Sequence, residues 1–274
     1  PDLVNYGPQE HEFSIRRACR IVGISCSEYR YRPDTSRDDE VIAVPQLGVE
    51  RYPAHGFGKL LKIIRCWGYG FNHKRVHRVY RLLGLNKRRR GKKRLPNRER
   101  VTLQVPEAKN QCWSMDLMSD SLFCGRRYRT FNVVDDFNRE ALAIEVELNL
   151  PSPRIIRVVD RVAAWRGYPS KVRMDNGPEF ISIAMAEWAD DHGIDPEFIQ
   201  PGKPTQNSYV ERFNRTYRDE ILNMYVFKTL NEVRELTDNW IREYNEERPH
   251  DSLEDLTPIE YLNKYDPAGN SNRM

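Results

Sequence analysis

Lys171-Val-Arg-Met-Asp175-Asn-Gly-Pro-Glu-Phe180 is the stretch on which the fold turns. A short strand, Lys171–Asp175, ends in an acid, and Asn-Gly makes a turn because both residues tolerate positive φ. Downstream, apolar spacing predicts a helix from about Ile181 to His192, ended by Gly193, then a strand near Pro196–Ile199. The turn-rich Gln200–Ser208 leads into a helix that buries Val210, Phe213, Tyr217 and Ile221. Upstream, strands are expected at 109–118, 127–137 and 140–148, with a hairpin at Asn138-Arg139, followed by a helix from about Pro153 to Arg166. Three antiparallel strands followed by alternating helix and strand predict an α/β unit: a mixed five-stranded sheet with flanking helices.

Three carboxylates stand out in this frame. Asp116 sits inside the first strand between apolar neighbours, where an acid is costly unless paired or bound to a cation. Asp175 ends the fourth strand; Asp-Asn-Gly also reads as a plain turn. Glu211 opens the helix after the Gln200–Ser208 turn, and Ser208-Tyr-Val-Glu211 also reads as a capping box. Glu211 lies about 100° off the apolar stripe of its helix, beside Arg215 and Arg218.

The first hundred residues have a different character. Residues 51–100 hold 17 Lys or Arg against one acid, Glu99, whereas residues 1–50 carry −3 and the remaining 174 residues −9. A basic block beside acidic ones suggests a polyanion-binding part, with a solvated basic linker as the plainer reading. Residues 14–32 outline helix, Gly23 turn, helix, with Ser25 or Ser27 as cap. Residues 55–85 repeat the outline: Leu60, Leu61, Ile63, Ile64 and Trp67 make one apolar helix. Gly68-Tyr-Gly70 stops it, Asn72 caps the next, and Gly84 ends that one. Its polar face carries Lys74, Arg75, Arg78 and Arg81, suited to phosphates or a major groove. The run Lys87, Arg88, Arg89, Arg90, Gly91, Lys92, Lys93, Arg94 supplies a basic arm. His73 and His77 half-match a zinc spacing, but no Cys pair lies near.

Exactly how far the acids lie apart in sequence adds a further signal: 35 residues separate Asp175 from Glu211. With Trp113-Ser-Met-Asp116, Val134-Asp-Asp-Phe-Asn-Arg139, Asp175-Asn-Gly-Pro-Glu-Phe180 and Pro201-Gly-Lys-Pro-Thr-Gln-Asn-Ser-Tyr-Val-Glu-Arg-Phe-Asn214, this resembles the D,D(35)E signature of integrase-like transposases. His73-Lys-Arg-Val-His-Arg-Val-Tyr-Arg-Leu-Leu-Gly-Leu85, Tyr244-Asn-Glu-Glu-Arg-Pro-His250 and Leu256-Thr-Pro-Ile-Glu-Tyr261 extend the resemblance over nearly the whole chain. The branch it resembles is the bacterial insertion-sequence family usually called IS-three, in its second reading frame.

The resemblance implies a ribonuclease-H-like integrase catalytic core over 109–228. Before it are expected a helix-turn-helix unit at 1–36, a second helical DNA-binding unit at 37–86 and a basic linker at 87–108; a C-terminal helix and tail at 229–274 follow. It implies metal-dependent DNA cleavage and 3′-OH strand transfer at insertion-sequence ends, with a catalytically silent DNA-binding regulator as the alternative. Asp116 would bridge two Mg²⁺ ions about 3.5–4 Å apart, with Asp175 and Glu211 taking one each and Mn²⁺ substituting. No covalent enzyme intermediate is implied. Lys203, Gln206, Asn207, Arg212 and Arg215 would hold the scissile strand, and Glu179 would support the site. The partners implied are transposon-end and target DNA, at least one further copy of the chain, and the upstream reading-frame product as a fusion, in the bacterial cytoplasm at the nucleoid.

Composition excludes other classes. Charged residues are 31% and hydrophobic ones 39% of 274, mean hydropathy is −0.75, and no stretch approaches the roughly 18–20 apolar residues of a membrane span. The start is Met-less and lacks a signal-peptide pattern, suggesting part of a longer polypeptide. Five scattered cysteines without C-x-x-C argue against a disulfide scaffold and for a reducing compartment.

Overall fold

The computed structural model describes residues 14–30, 38–86, 106–200 and 204–266. The expected basic arm, Lys87–Arg94, and Lys203 lie outside the described residues.

The sheet is built as its alternating pattern predicts. Strands β1 (Cys112–Ser121), β2 (Arg127–Asp135) and β3 (Ala141–Glu147) form an antiparallel meander. Helix α6 (Ser152–Arg166; α1–α5 precede the sheet) leads to β4 (Lys171–Met174), parallel to β1. Helix α7 (Ile183–Asp191) leads to β5 (Asp195–Phe198), parallel to β4. The order is β3-β2-β1-β4-β5, so β1 is central. It runs on to Ser121, three residues past its expected end, because its pairing with β2 continues to Ser121↔Arg127.

Each face buries its own core. Trp113, Met115, Phe131 and Val133 point to α6 and α7, meeting Ile155, Val159, Met185 and Trp188. Tyr128, Val134, Ile144 and Val146 point the other way, meeting Val210, Phe213 and Tyr217 of α8 (Ser208–Tyr217) and Val233, Trp240 and Tyr244 of α9 (Leu230–Glu246). Helix α9 is core, burying Val233, Trp240 and Tyr244. A π-helical turn, Arg218–Leu222, follows α8, and α10 (Pro258–Tyr265) starts at a capping box of Thr257 and Glu260. The acids of Val134-Asp-Asp-Phe-Asn-Arg139 are structural. Asp135 pairs with Arg166 at 2.9 Å and accepts from the Phe137 and Asn110 amides, and Asp136 pairs with Arg173 at 2.6 Å.

Ahead of the sheet lie small helices. Helix α1 (Ile15–Val22) ends on Gly23 at φ 74°, and Ser25 accepts from the Glu28 amide at the start of α2 (Cys26–Arg30). Helices α3 (Asp39–Arg51), α4 (Phe57–Cys66) and α5 (His73–Leu82) enclose Val41, Val44, Leu60, Ile64, Val76 and Tyr80. Helix α3 was not expected, because Pro45 and Gly48 interrupt its helical pattern. The helical unit docks on the α/β unit through ion pairs of Arg51 with Glu247 at 2.8 Å and of Lys62 with Asp251 and Asp255, and through a hydrogen bond between His55 and Glu220 at 3.1 Å. No described helix is long and apolar enough to cross a membrane.

Candidate active site

Asp116 lies on the α8-facing side of the central strand, directly opposite Asn132 on β2; the other acid on that side, Asp120, is paired with Arg218 at 3.1 Å. The β1–β4 register pairs Ser114 with Arg173. Asp175 directly follows β4 on the strand beside β1, near enough for its charge to act on Asp116. Helix α8, packed on the same face, carries Glu211 in its first turn. Three elements that the sequence separates by up to 95 residues thus aim acids at one end of the sheet.

The electrostatics record this convergence. Burial pushes the Asp116 carboxyl up, and the charges of Asp175 and Glu211 push it further, to about 6. Two hydrogen bonds oppose the rise: the Leu117 amide donates to Oδ1 at 2.8 Å, and Asn214 Nδ2 donates to Oδ2 at 2.6 Å. Burial also raises Glu211, against the pull of Arg215. Asp175 Oδ1 accepts from the Gly177 amide at 2.9 Å, and a Cβ on Gly177 would meet that same oxygen at 2.9 Å. A side chain at 177 would therefore displace the Asp175 carboxyl. Among the described residues no three ligating side chains are gathered into a metal-holding group. Like charges repel, and Asp116 and Asp175 each accept internal hydrogen bonds.

The capping reading of Glu211 does not hold. Helix α8 emerges from a 3₁₀ turn, Pro204–Asn207, and its N-cap Asn207 makes no side-chain capping bond. Glu211 is left half-buried at the rim without that structural task.

Asn214, one turn past Glu211, is a site residue that sequence reasoning missed. Its carboxamide is held on both sides, since Asn132 Nδ2 donates to Asn214 Oδ1 at 2.6 Å while Asn214 Nδ2 donates to Asp116. The signal was present: an Asn beside Phe213 on a stripe that otherwise buries Val210 and Tyr217 needs a polar partner.

The expected DNA contacts divide. Lys74 and Arg81 are exposed on α5, whereas Arg75 and Arg78 both pair with Asp38, which is drawn down by those hydrogen bonds. Arg212 and Arg215 are exposed on α8 beside Glu211. Gln206 accepts from the Gln200 amide, and Asn207 is buried at 2% exposure, too deep for a phosphate contact. Glu179 is paired with Arg129. His73 and His77 pack on Phe57, which accounts for their spacing. The five cysteines are unbridged.

Comparison with known proteins agrees with this geometry. Residues 106–204 match one family model described as an integrase core domain, and residues 192–258 match a second with the same description. The chain is 43% identical over 254 residues to an uncharacterized 31.7 kDa protein of insertion element IS407 from Burkholderia multivorans, covering 92% of this chain and 91% of that one. It is 24% identical over 236 residues to a Mycobacterium tuberculosis protein provisionally assigned as the transposase for insertion sequence element IS986/IS6110, covering 79% and 84%. A chain of the simian T-cell lymphotropic virus intasome, solved with PP2A regulatory subunit B56 gamma, superposes with a TM-score of 0.50 at 16% identity. That match covers 84% of this chain and 75% of that one and is a likeness of fold.

Proposed function

The chain belongs to the insertion-element transposases of the integrase-core superfamily, and on that footing we propose that it cuts DNA at insertion-sequence ends and joins the freed 3′-OH to a new phosphodiester. The observation that carries the reading is the half-buried Asp116 carboxyl on the central strand, held by Asn214 at 2.6 Å and within reach of the charges of Asp175 and Glu211, which with burial raise it to about 6. An acid so placed gains from a cation, because a positive charge relieves the repulsion among the three.

The donor set fits a hard divalent ion: carboxylate oxygens only, with neither thiolate nor imidazole beside them. Asp116, Asp175 and Glu211 would hold Mg²⁺ ions, which when bound activate the attacking oxygen and stabilise the leaving one. The rest of the task falls to the protein. Asn214 fixes the Asp116 carboxyl by donating to Oδ2. The Gly177 amide does the same for Asp175. Arg212 and Arg215 flank Glu211, where they meet backbone phosphates. Lys74 and Arg81 on α5 add phosphate contacts away from the acids. Two ends must be brought together for transfer, so the working form is at least a dimer on DNA.

The test is incubation of the full chain with an end-labelled duplex carrying the terminus of its element, with Mg²⁺ or with EDTA. Mg²⁺-dependent nicking and strand-transfer products are expected. Tight binding with no cleavage under either condition would instead identify a silent DNA-binding regulator.

A further inference from the structure

Helix α4 and helix α8 face each other across a cleft of about 730 Å³, lined by Lys59 from the helical unit and by Glu211, Arg212, Arg215 and Arg248 from the α/β unit. A smaller hollow of about 90 Å³ adjoins it and shares Lys59, Arg212 and Arg248, adding Arg139 and His250. The cations here outnumber the acids free to answer them. Glu220 is held by Arg248 and His55, and Asp251 by Lys62. Asp219 accepts from Asn223, and Glu211 belongs to the acid site. Among the described residues Lys59 and Arg212 make no ion pair, and the buried Nε of Arg248 has no acceptor.

We propose that Lys59, Arg212 and Arg248 form a seat for a backbone phosphate of the DNA strand that enters the Asp116–Glu211 site. The proposal rests on the DNA-cleaving function and deepens it. It adds a contact from the helical unit to the strand held by the same subunit's catalytic helix. Three long cations from two units, gathered around a hollow with an unanswered guanidinium N–H, are costly by mutual repulsion, and an anion between them removes that cost. The protonation behaviour agrees. Burial and the Arg248 charge draw the Lys59 ammonium down to about 8, and burial, Arg248 and Lys59 draw the His250 imidazole down to about 3. Burial is the larger cause of both shifts, and the Arg248 charge adds to each. Its place, with Arg212 one residue from Glu211 and Lys59 lining the same cleft, favours a strand phosphate as the occupant.

The test uses the full chain and a fluorescent mixed-sequence DNA duplex, with binding followed across a sodium chloride series. The variants are Lys59→Gln, Arg212→Gln and the remote control Lys264→Gln. Each variant at the seat should lower the log–log salt slope by about 0.9 and weaken binding about threefold. Lys264→Gln should leave both unchanged. Without DNA, Lys59→Gln should keep or raise Tm, because it removes an unpaired charge from among like charges. A wild-type slope in both Lys59→Gln and Arg212→Gln, with the wild type binding steeply with salt, overturns the seat alone. Absence of salt-dependent binding by the wild type overturns the DNA reading and the seat with it. Inorganic phosphate is the second arm: if it raises the Tm of the wild type but not of Lys59→Gln while the DNA slope is unaffected, the hollow takes a free anion and the strand assignment is wrong.

Discussion

Asn214 donates its carboxamide hydrogen to Asp116 Oδ2 at 2.6 Å, and Asn132 fixes the direction of that amide by donating to its oxygen. The bond ties helix α8 to the central strand at the point where the acids meet. It also keeps one oxygen of Asp116 occupied and the carboxyl plane fixed.

Removing that tie should weaken the use of metal more than it weakens the fold. Asn214→Ala is expected to raise the Mg²⁺ concentration needed for half-maximal cleavage about 10- to 100-fold, the usual effect of losing a group that orients a ligand. Asn214→Asp adds a charge beside Asp116 and should be worse at neutral pH. Mg²⁺ titrations of cleavage with the two variants check this, and equal half-saturation for Asn214→Ala and wild type would refute it.

Glu211 separates a structural role from a chemical one. The capping box that Ser208-Tyr-Val-Glu211 suggests is absent, since α8 is capped at Asn207 with no side-chain bond. Glu211→Gln should therefore change stability by less than about 0.5 kcal/mol while abolishing strand transfer. Thermal melts read against transfer assays decide it. A capping residue would show the reverse pattern, with a stability loss of about 1 kcal/mol and activity retained.

The contact between the helical unit and the sheet unit is acid-sensitive. Burial alone would raise Glu220, yet the His55 hydrogen bond and the Arg248 guanidinium draw it down to about 2. Burial also lowers His55, so it donates to Glu220 as a neutral ring and Arg248 supplies the charge. A depressed acid contributes stability above its unfolded value of about 4.5 and loses it as pH falls toward 2. His250, buried and drawn down to about 3, binds a proton more readily when unfolded, so its contribution declines as pH falls from 6.5 toward 3. Tm should fall in two stages below pH 6.5. Glu220→Gln should lose about 3–5 kcal/mol at neutral pH, because Arg248 is left buried without its partner, and should melt with a flatter dependence below pH 4.5. A wild-type melting profile in this variant would contradict the account.

The exposed cations of α5 should act on DNA and the paired ones on the fold. Lys74→Gln with Arg81→Gln should reduce end binding and its salt slope, whereas Arg75→Gln and Arg78→Gln, which leave Asp38 unpaired, should chiefly lower Tm. Mixing the Lys74/Arg81 variant with Asp175→Ala tests the dimer: recovered activity is expected if one subunit's helices hold the end that another cuts. No recovery, together with a monomeric protein–DNA complex by light scattering, would contradict it.

The sheet and its acids could be read in the sequence because both are local signals. Alternation marks the strands, Asn176-Gly177 marks the turn after Asp175, and the resemblance to the D,D(35)E signature singles out Glu211, two helices on from β4. Helix α3 could not be read in the same way, since Pro45 and Gly48 hide a helix that tertiary packing holds together. The Asn132–Asn214–Asp116 chain was hidden for another reason. Its members lie 16 and 82 residues apart, so only the register of β1 on β2 and the docking of α8 join them. The ion pairs of Asp38 with Arg75 and Arg78, and of Glu220 with Arg248, were illegible as well. Charge on a helix face does not say which acid folds back onto it.

The central claim is that Asp116 is the hub of a DNA-cutting site and not a tolerated core acid. The most direct measurement is Mg²⁺-dependent cleavage of labelled insertion-end DNA by Asp116→Ala beside the wild type, with binding of the same DNA followed in parallel. The account predicts undetectable cleavage and strand transfer in the variant with DNA affinity retained; near-normal cleavage by Asp116→Ala would contradict it.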